Sequence, residues 1–584
     1  MFTSRPYTHT LLQANSILSR LIRNRLLIAC CLMLAIVTFM ASVKGLARRT
    51  TAVLSASNIH TRTSQTTVET NAPVVVNASI ITINSTDDVV NSSDGKCTLR
   101  EAITASNTRT ASGNVVGECA AGSRDNIIGF DATVFGAGAG SKTINLTGAL
   151  PEINTSNITI NGTGSGLLTV RRDTGGNYRI FSINGVVASI SGLTITNGRV
   201  PDGIPSDTSG GYGGDGGGIL CAGDLTLTDV VVTGNSTGNG GAGGSSSGGL
   251  GGSGGGISIT AGTLSMTNVV VSNNTNGNGG VGFYGGSGGR GGGINFNGSS
   301  LTMINCFITG NTAGNALNGT GGSAGGSGGD GGGLNIVAGT VNLTNITISG
   351  NTAGDANNNG GTGGLGGGII TYPGVKTTLT NSSISNNSAG HGGSGLSGEG
   401  GWGGGIDNNG PMTMIGCTIN GNSTKGPSAG GGSLGGGIFN NNILTMTNCT
   451  VSGNRTDLDR GRAGGIYNIG NALTLTNCTI TGNLSNNLSF EPGQGIHNGG
   501  TINVRNSIIA GNGSGNQPDV SGTYSSQGYN IVGNASGSSG FSATGDQVGT
   551  SAVPINRCSQ VVRPLIKVIR RARSPQTSAA LPVP

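Results

Sequence analysis

The chain has 584 residues, of which 116 are Gly and 15 are Pro, and 9% are charged. No every-third-residue Gly period runs through it, which excludes a collagen triple helix, and so little charge excludes a chain held open by self-repulsion. The formal net charge of +6 sits at the ends: residues 1–49 carry seven cations and no acid, and 557–584 carry six and no acid, so 50–556 carries −7. A mildly acidic body with 3% aromatic residues argues against nucleic acid as a partner.

At the N-terminus, Arg20, Arg23 and Arg25 precede an apolar run from Leu26 to Val43, and the small residues Gly45 and Ala47 follow. That layout is a signal peptide, although 18 apolar residues are also enough for a membrane anchor. Residues 1–47 are assigned to one or the other, and 48–75 to a linker. Export places the cysteines beyond Cys30 and Cys31 where disulfides persist.

Residues 76–175 read as an N-terminal cap. Thr98 and Glu101 have capping-box spacing, which predicts a short helix over 98–107 with Leu99, Ala102 and Ile103 inward. Cys97 and Cys119, 22 residues apart in an exported segment, are the candidate structural disulfide.

Residues 176–535 repeat a single unit, most cleanly at 464–483, GGIYNIGNALTLTNCTITGN. Nine copies align on Ile219, Ile257, Ile294, Leu334, Ile369, Ile406, Ile438, Ile466 and Ile496. A central slot follows 10 to 12 residues later (Asp229, Asn268, Asn305, Asn345, Asn381, Gly416, Asn448, Asn477, Asn506). Six residues after it, in every copy, comes a closing Asn: Asn235, Asn274, Asn311, Asn351, Asn387, Asn422, Asn454, Asn483 and Asn512. All large length variation falls in the Gly-rich stretch that follows.

Leu473 and Leu475 alternate with Thr474 and Thr476, parity breaks at Asn477, and Cys478 and Ile480 then resume the apolar face. Two short strands meeting at a bend explain this, and Gly-Gly-Ile-Tyr-Asn supplies a third, shorter one. Three strands per unit without helices predict a solenoid whose like strands stack in parallel about 4.8 Å apart. The closing Asn is expected to take a left-handed bend and to stack on its copies as a hydrogen-bonded ladder. The Gly-rich stretches are expected to be variable loops hung from one corner. Cys306, Cys417, Cys449 and Cys478 share an inward slot with Val, Ile and Ser, and read as buried filler. Residues 536–556 are a C-terminal cap. Residues 557–584 turn abruptly to Arg, Val and Pro and read as a divergent basic tail, a frame-slipped or truncated remnant.

Cys97-Thr98-Leu99-Arg100-Glu101-Ala102, within DGKCTLREAITASN, resembles the Cys-Ser-Leu-Arg-Glu-Ala segment of exported bacterial β-helix proteins, and the likeness continues through INLTG, LPEIN and ITINGTG. The repeat unit resembles chlamydial polymorphic membrane protein repeats and other pectin-lyase-like β-helices. The segment 506–550 resembles the region that follows such helices in surface-anchored proteins. The resemblance implies an exported, surface-associated right-handed parallel β-helix and supplies no reaction.

Candidate chemistry is sparse. GGYGGD (210–215) and GGSGGD (325–330) begin like a calcium-binding nonapeptide but place Gly where its apolar residue belongs. Between 235 and 456 the acids are Asp330, Asp355, Glu399 and Asp407, on different turns, and Asp457 and Asp459 with Arg455, Arg460 and Arg462 read as a solvated loop. His391 and His497 are isolated. The sequence therefore predicts an all-β fold, a right-handed single-stranded parallel β-helix with a capped N-terminus containing one short helix. It predicts an exported or cell-surface structural, adhesin-like protein with no catalytic residues, cofactor or metal. The expected partners are envelope or matrix polysaccharide or another cell surface, with membrane contact only through an uncleaved N-terminal segment. The alternative is a polysaccharide-active lyase or glycosidase, which would need a convergent acid cluster with a basic residue. A third option, a binding module on the loop face, would need ordered loops with exposed aromatics, for which Phe283, Tyr284 and Trp402 are the candidates.

Overall fold

The Leu–Thr alternation at 472–476 and the β-branched residues at 479–481 become two strands, Ala472–Thr476 and Thr479–Thr481, preceded by Ile466–Asn468. Side chains at alternate positions leave a strand on opposite sides, so Leu473, Leu475, Cys478 and Ile480 are buried while the threonines between them reach solvent. The chain turns between the two strands at Asn477, whose φ is 54°. The computed structural model describes residues 78–555 apart from 321–324, 357–359, 395–397, 427–430, 457–460, 486–492 and 515–516. The predicted leader 1–47, linker 48–75 and basic tail 557–584 lie outside the described residues, as do Asp457, Asp459 and Arg460.

Each coil pairs in parallel with the next, like slot on like slot. Ile438 pairs with Ile466 and Ile466 with Ile496; Leu444 pairs with Leu473 and Leu473 with Ile502; Val451 pairs with Ile480 and Ile480 with Ile509. The architecture is a parallel β-helix. The first and second strands of the coils share a 24-stranded sheet, because Phe181–Ser191 and Ile219–Thr228 run through both positions, and the third strands form a 14-stranded sheet. A further ladder, unforeseen in the three-strand repeat, follows the closing Asn: Ser388–His391, Ser423–Lys425, Arg455–Thr456 and Leu484–Ser485. One continuous core of Ile, Leu, Val and Met side chains fills the coils.

The N-terminal region continues the same sheets. Ser79–Ile83 pairs with Asp125–Phe130, that strand with Asn157–Asn161, and that with Phe181–Ser191. The helix spans Leu99–Thr108 and begins at Thr98 with a reciprocal capping box: Thr98 Oγ1 accepts from Glu101 N at 3.2 Å, and Thr98 N donates to Glu101 Oε2 at 3.0 Å. Leu99, Ala102 and Ile103 are buried, and Arg100 holds the buried Asp88 with two bonds of 3.0 and 2.7 Å. Cys97 and Cys119 are joined by a disulfide that closes a 22-residue span. Closing a loop of that order contributes roughly 3 kcal/mol. A Cys97→Ser/Cys119→Ser double variant should lose about that much in a denaturant titration monitoring the N-terminal coils, and an unchanged transition would show that the span is held by packing alone.

The Gly-rich stretches depart most from expectation. They are not loose loops but a hydrogen-bonded second layer. Within one stretch, the returning limb bonds the outgoing limb: Gly252 N to Gly238 O (2.8 Å), Gly289 N to Gly277 O (3.0 Å), Gly329 N to Gly314 O (2.8 Å) and Gly364 N to Gly354 O (2.8 Å). Between stretches the limbs bond again: Gly314 N to Gly289 O (3.0 Å), Gly354 N to Gly329 O (2.8 Å) and Gly390 N to Gly364 O (2.9 Å). Along a returning limb the donors recur every third residue, as Gly248, Gly251 and Gly254 bond Tyr284, Ser287 and Arg290. That threefold period matches the three residues per turn of a polyproline II chain, which has no internal hydrogen bonds and must find partners on its neighbours. The Gly-Gly-x triplets of GGYGGDGGG and GGLGGSGGG are the sequence signal for it.

Candidate functional site

The first strand of each coil points alternate residues away from the core, beneath the glycine layer. Strand register lines up Ser258, Asn295, Asn335, Ile370, Asp407, Phe439, Tyr467 and His497 in one column. The returning limb sets a second column beside it, in which Arg290, Asp330 and Leu365 come from successive stretches, with Gly291 N donating to Asp330 O and Gly331 N to Leu365 O.

Here the fold gathers a cluster that the linear spacing conceals. Asp330 Oδ2 accepts from Tyr372 OH at 2.9 Å and lies 3.3 Å from Arg290 Nε, while Asp330 Oδ1 accepts from Leu365 N at 3.0 Å. The Arg290 guanidinium sits 6.0 Å from the centre of the Tyr372 ring. Burial, then the neighbouring Asp330 charge, push the Tyr372 hydroxyl up. Asp407 is fully buried; Asn409 Nδ2 donates to its Oδ1, and its Oδ2 has no hydrogen-bond partner among the described residues. Burial, then the Asp330 charge, push the Asp407 carboxyl well above the usual carboxylate range, which favours its protonated form. The side chain of Arg290 is 53% exposed and that of Asp330 12%, so the open edge of the cluster is an ion pair, with the buried Asp407 carboxyl behind it.

A carboxyl whose folded pKa is raised ionises first in the unfolded chain, so its stabilising share is complete below its ordinary value of 3.8 and is lost as pH rises through the folded value. Asp407→Asn should therefore be more stable than the parent at pH 7 and match it near pH 3, as read from thermal midpoints across that range. A constant difference at every pH would contradict the assignment.

The closing asparagines form an internal column. Asn274 Oδ1 accepts from both the backbone N (3.0 Å) and Nδ2 (3.0 Å) of Asn235, and the pattern repeats without a break through Asn311, Asn351, Asn387, Asn422, Asn454, Asn483 and Asn512. It ends on the buried carboxylate of Asp519, whose Oδ1 accepts both bonds from Asn512 at 2.7 and 2.8 Å and whose Oδ2 accepts from Asn534 N at 2.7 Å. The left-handed bend lies elsewhere than expected. Positive φ occurs at the central slot and at the residue before the closing Asn, such as Gly350, Asn386 and Gly482, and the closing Asn itself is free to turn its amide along the axis. A second buried amide ladder, not foreseen, joins Asn408, Asn440, Asn468 and Asn498 at 2.7 Å per step.

Cys306, Cys417, Cys449 and Cys478 are buried, and so is Cys221; none has a disulfide partner among the described residues. Burial pushes the Cys221 thiol up to about 11, away from the reactive thiolate. Trp402 packs on Phe439 at 4.8 Å, and Phe439, Tyr467 and His497 continue the stack. His391 N donates to Asp355 Oδ1 at 2.7 Å. Phe283 and Tyr284 stand in solvent on the glycine layer. Among the described residues no three His, Cys, Asp or Glu side chains gather closely enough to hold a metal ion, and the segments 210–215 and 325–330 lie in different stretches.

No protein-family model and no curated protein matches the chain. Among solved structures, it is similar to pectate lyase Pel9A at 12% identity and a TM-score of 0.29, over 80% of each chain. It is also similar to the Agl-KA catalytic domain at 14% identity and a TM-score of 0.33, over 80% of this chain and 68% of that one. Likeness at this level carries no argument about the chemistry of this chain, whose fold stands on its own parallel strand register.

Proposed function

We propose that this is an exported, surface-associated β-helix that binds without catalysis, its partner an envelope or matrix polysaccharide or another cell surface. The observation that carries this reading is the outward face of the third strands. Thr347, Ser383, Thr418, Thr450 and Thr479 stack in one column and Ser349, Ser385, Asn420, Ser452 and Thr481 in the next, uncharged and in register. Each coil adds an equivalent set of hydroxyls about 4.8 Å further along, so weak contacts repeat along a polymer or a surface. A body that carries −7 disfavours nucleic acid as the partner. Membrane contact would come only from the N-terminal segment. The full-length protein, incubated with a panel of neutral and anionic polysaccharides, should sediment with at least one and release no new reducing ends. Turnover would overturn the non-catalytic reading.

A second reading, a polysaccharide-active lyase or glycosidase, is favoured by one observation, the Arg290–Asp330–Tyr372 cluster with Asp407 behind it. In it Asp330 would be the acid–base group at the open edge, with Arg290 the cation beside it. Loss of a general acid or base typically costs about 10²–10⁴-fold in rate, so under this reading Asp330→Asn abolishes any turnover detected in the panel. Turnover that survives Asp330→Asn would remove the cluster from consideration.

A further inference from the structure

Six large apolar side chains stand in solvent on three successive stretches of the glycine layer: Ile204, Tyr212, Leu250, Val281, Phe283 and Tyr284. Tyr212 is 74% exposed, Phe283 41% and Tyr284 49%. Gathered apolar groups of this size on a surface mark a binding site more often than chance. The backbone beneath them is pinned. Gly213 N bonds Leu250 O at 2.9 Å, Gly248 N bonds Tyr284 O at 2.9 Å, Gly243 N bonds Val281 O at 2.7 Å and Gly211 N bonds Ile204 O at 2.9 Å. Phe283 and Tyr284 meet edge to face, with centroids 5.0 Å apart. Glycine neighbours have no side chains to fold over these rings, so the rings stay presented, and little conformational freedom is left to lose on binding.

The charge around the patch selects the occupant. Residues 199–215, 236–254 and 275–290 contain two cations, Arg199 and Arg290, and each faces an acid: Arg199 lies 4.0 Å from Asp202, and Arg290 3.3 Å from Asp330. Asp207 and Asp215 add two more acidic side chains. An anionic polymer or an anionic membrane would find no unpaired cation there. Three neutral asparagines stand in a row between two acids: Asn239 N bonds Asp202 Oδ1 at 2.7 Å, Asn278 N bonds Asn239 Oδ1 at 2.9 Å, Asn315 N bonds Asn278 Oδ1 at 2.8 Å and Asp355 N bonds Asn315 Oδ1 at 2.8 Å, a ladder along the axis on the outgoing limbs. Tyr212 and Tyr284 belong to stretches two coils apart, about 10 Å along the axis, a spacing comparable to two sugar units of an extended chain.

We infer that this patch binds an uncharged polysaccharide lying along the helix axis, its pyranose C–H faces on Tyr212, Phe283 and Tyr284 and its hydroxyls toward the asparagine ladder. The inference rests on the polysaccharide-binding reading above and names its substrate class. The test compares the full-length protein with a Tyr212→Ala/Phe283→Ala/Tyr284→Ala variant in sedimentation with microcrystalline cellulose, chitin, polygalacturonate and alginate. All three side chains are exposed, and an unchanged thermal midpoint confirms that the fold is intact. The parent should bind cellulose or chitin in preference to the two polyanions, and the variant should bind about tenfold or more weakly, as expected for loss of aromatic anchors. Equal binding by parent and variant would overturn the patch while leaving polysaccharide binding in place. Preference of the parent for a polyanion would overturn the substrate class. A parent that binds none of the four would overturn both the patch and the polysaccharide-binding reading on which it rests.

Discussion

Gly329→Ala should destabilise the protein by about 3 kcal/mol or more, although it adds a single methyl group. A Cβ at Gly329 would lie 1.9 Å from Gly289 O and 2.8 Å from the Gly289 carbonyl carbon. The obstructing atoms are backbone, which cannot swing aside as a side chain would. Gly329 N also donates to Gly314 O at 2.8 Å and Gly329 O accepts from Gly354 N at 2.8 Å, so moving this residue strains both the outgoing limb of its own stretch and the next stretch. Gly129→Ala is the control, because nothing lies within 4 Å of its Cβ position; its effect should stay within about 0.5 kcal/mol. Urea midpoints for the two variants check the contrast. If Gly329→Ala unfolds with the parent, the limbs are not packed against each other as described.

The second large effect belongs to Asn387. Its Oδ1 accepts from Asn351 N at 3.0 Å and Asn351 Nδ2 at 2.9 Å, and its Nδ2 donates to Ile348 O at 3.0 Å and Asn422 Oδ1 at 2.9 Å. Asn387→Ala removes all four bonds, leaves the buried Asn351 backbone N–H without its acceptor, reduces Asn351 Nδ2 to its bond with Ile308 O, and breaks the amide column between Asn351 and Asn422. An unsatisfied buried group costs about 1–3 kcal/mol, so even with relaxation the loss should reach about 3–5 kcal/mol. Ser349→Ala, on the outward face of a neighbouring strand, should stay within about 0.5 kcal/mol. Denaturant titration distinguishes them. Equal effects would mean that water, and not the amide column, satisfies the interior.

Much of this architecture is legible in the sequence because it is written in side chains. The six-residue interval between the central slot and the closing Asn appears as strict register between coils, since a shift of one residue would turn Ile480 and Leu475 outward. The helix start is legible because Thr98 and Glu101 satisfy each other locally. What escaped sequence reading is held by backbone or assembled across distance. The glycine layer is made of amide-to-carbonyl bonds, and its only trace is the Gly-Gly-x triplet, easily taken for low complexity. Arg290, Asp330, Tyr372 and Asp407 come from four coils separated by stretches of unequal length, so no fixed spacing connects them. The Asn408–Asn498 ladder spans four coils, and its Ile-x-Asn pattern looks incidental beside the longer column of closing asparagines. Sequence alone places the left-handed bend one residue too late, because Asn suits both jobs. The left-handed residues are the central slot and the Gly or Asn before the closing Asn, which leaves the closing amide to the ladder.

Amide hydrogen exchange of the Gly-rich stretches tests the account most directly, because a rigid glycine layer is what turns a β-helix with loops into a presenting surface. The amides of Gly249, Gly280, Gly289, Gly314, Gly354 and Gly390 all donate to other stretches or limbs and should exchange as slowly as those of the third strands, such as Ile348 and Ile480. Exchange of these glycines at the rate of an unfolded chain, while the strand amides stay protected, would contradict it.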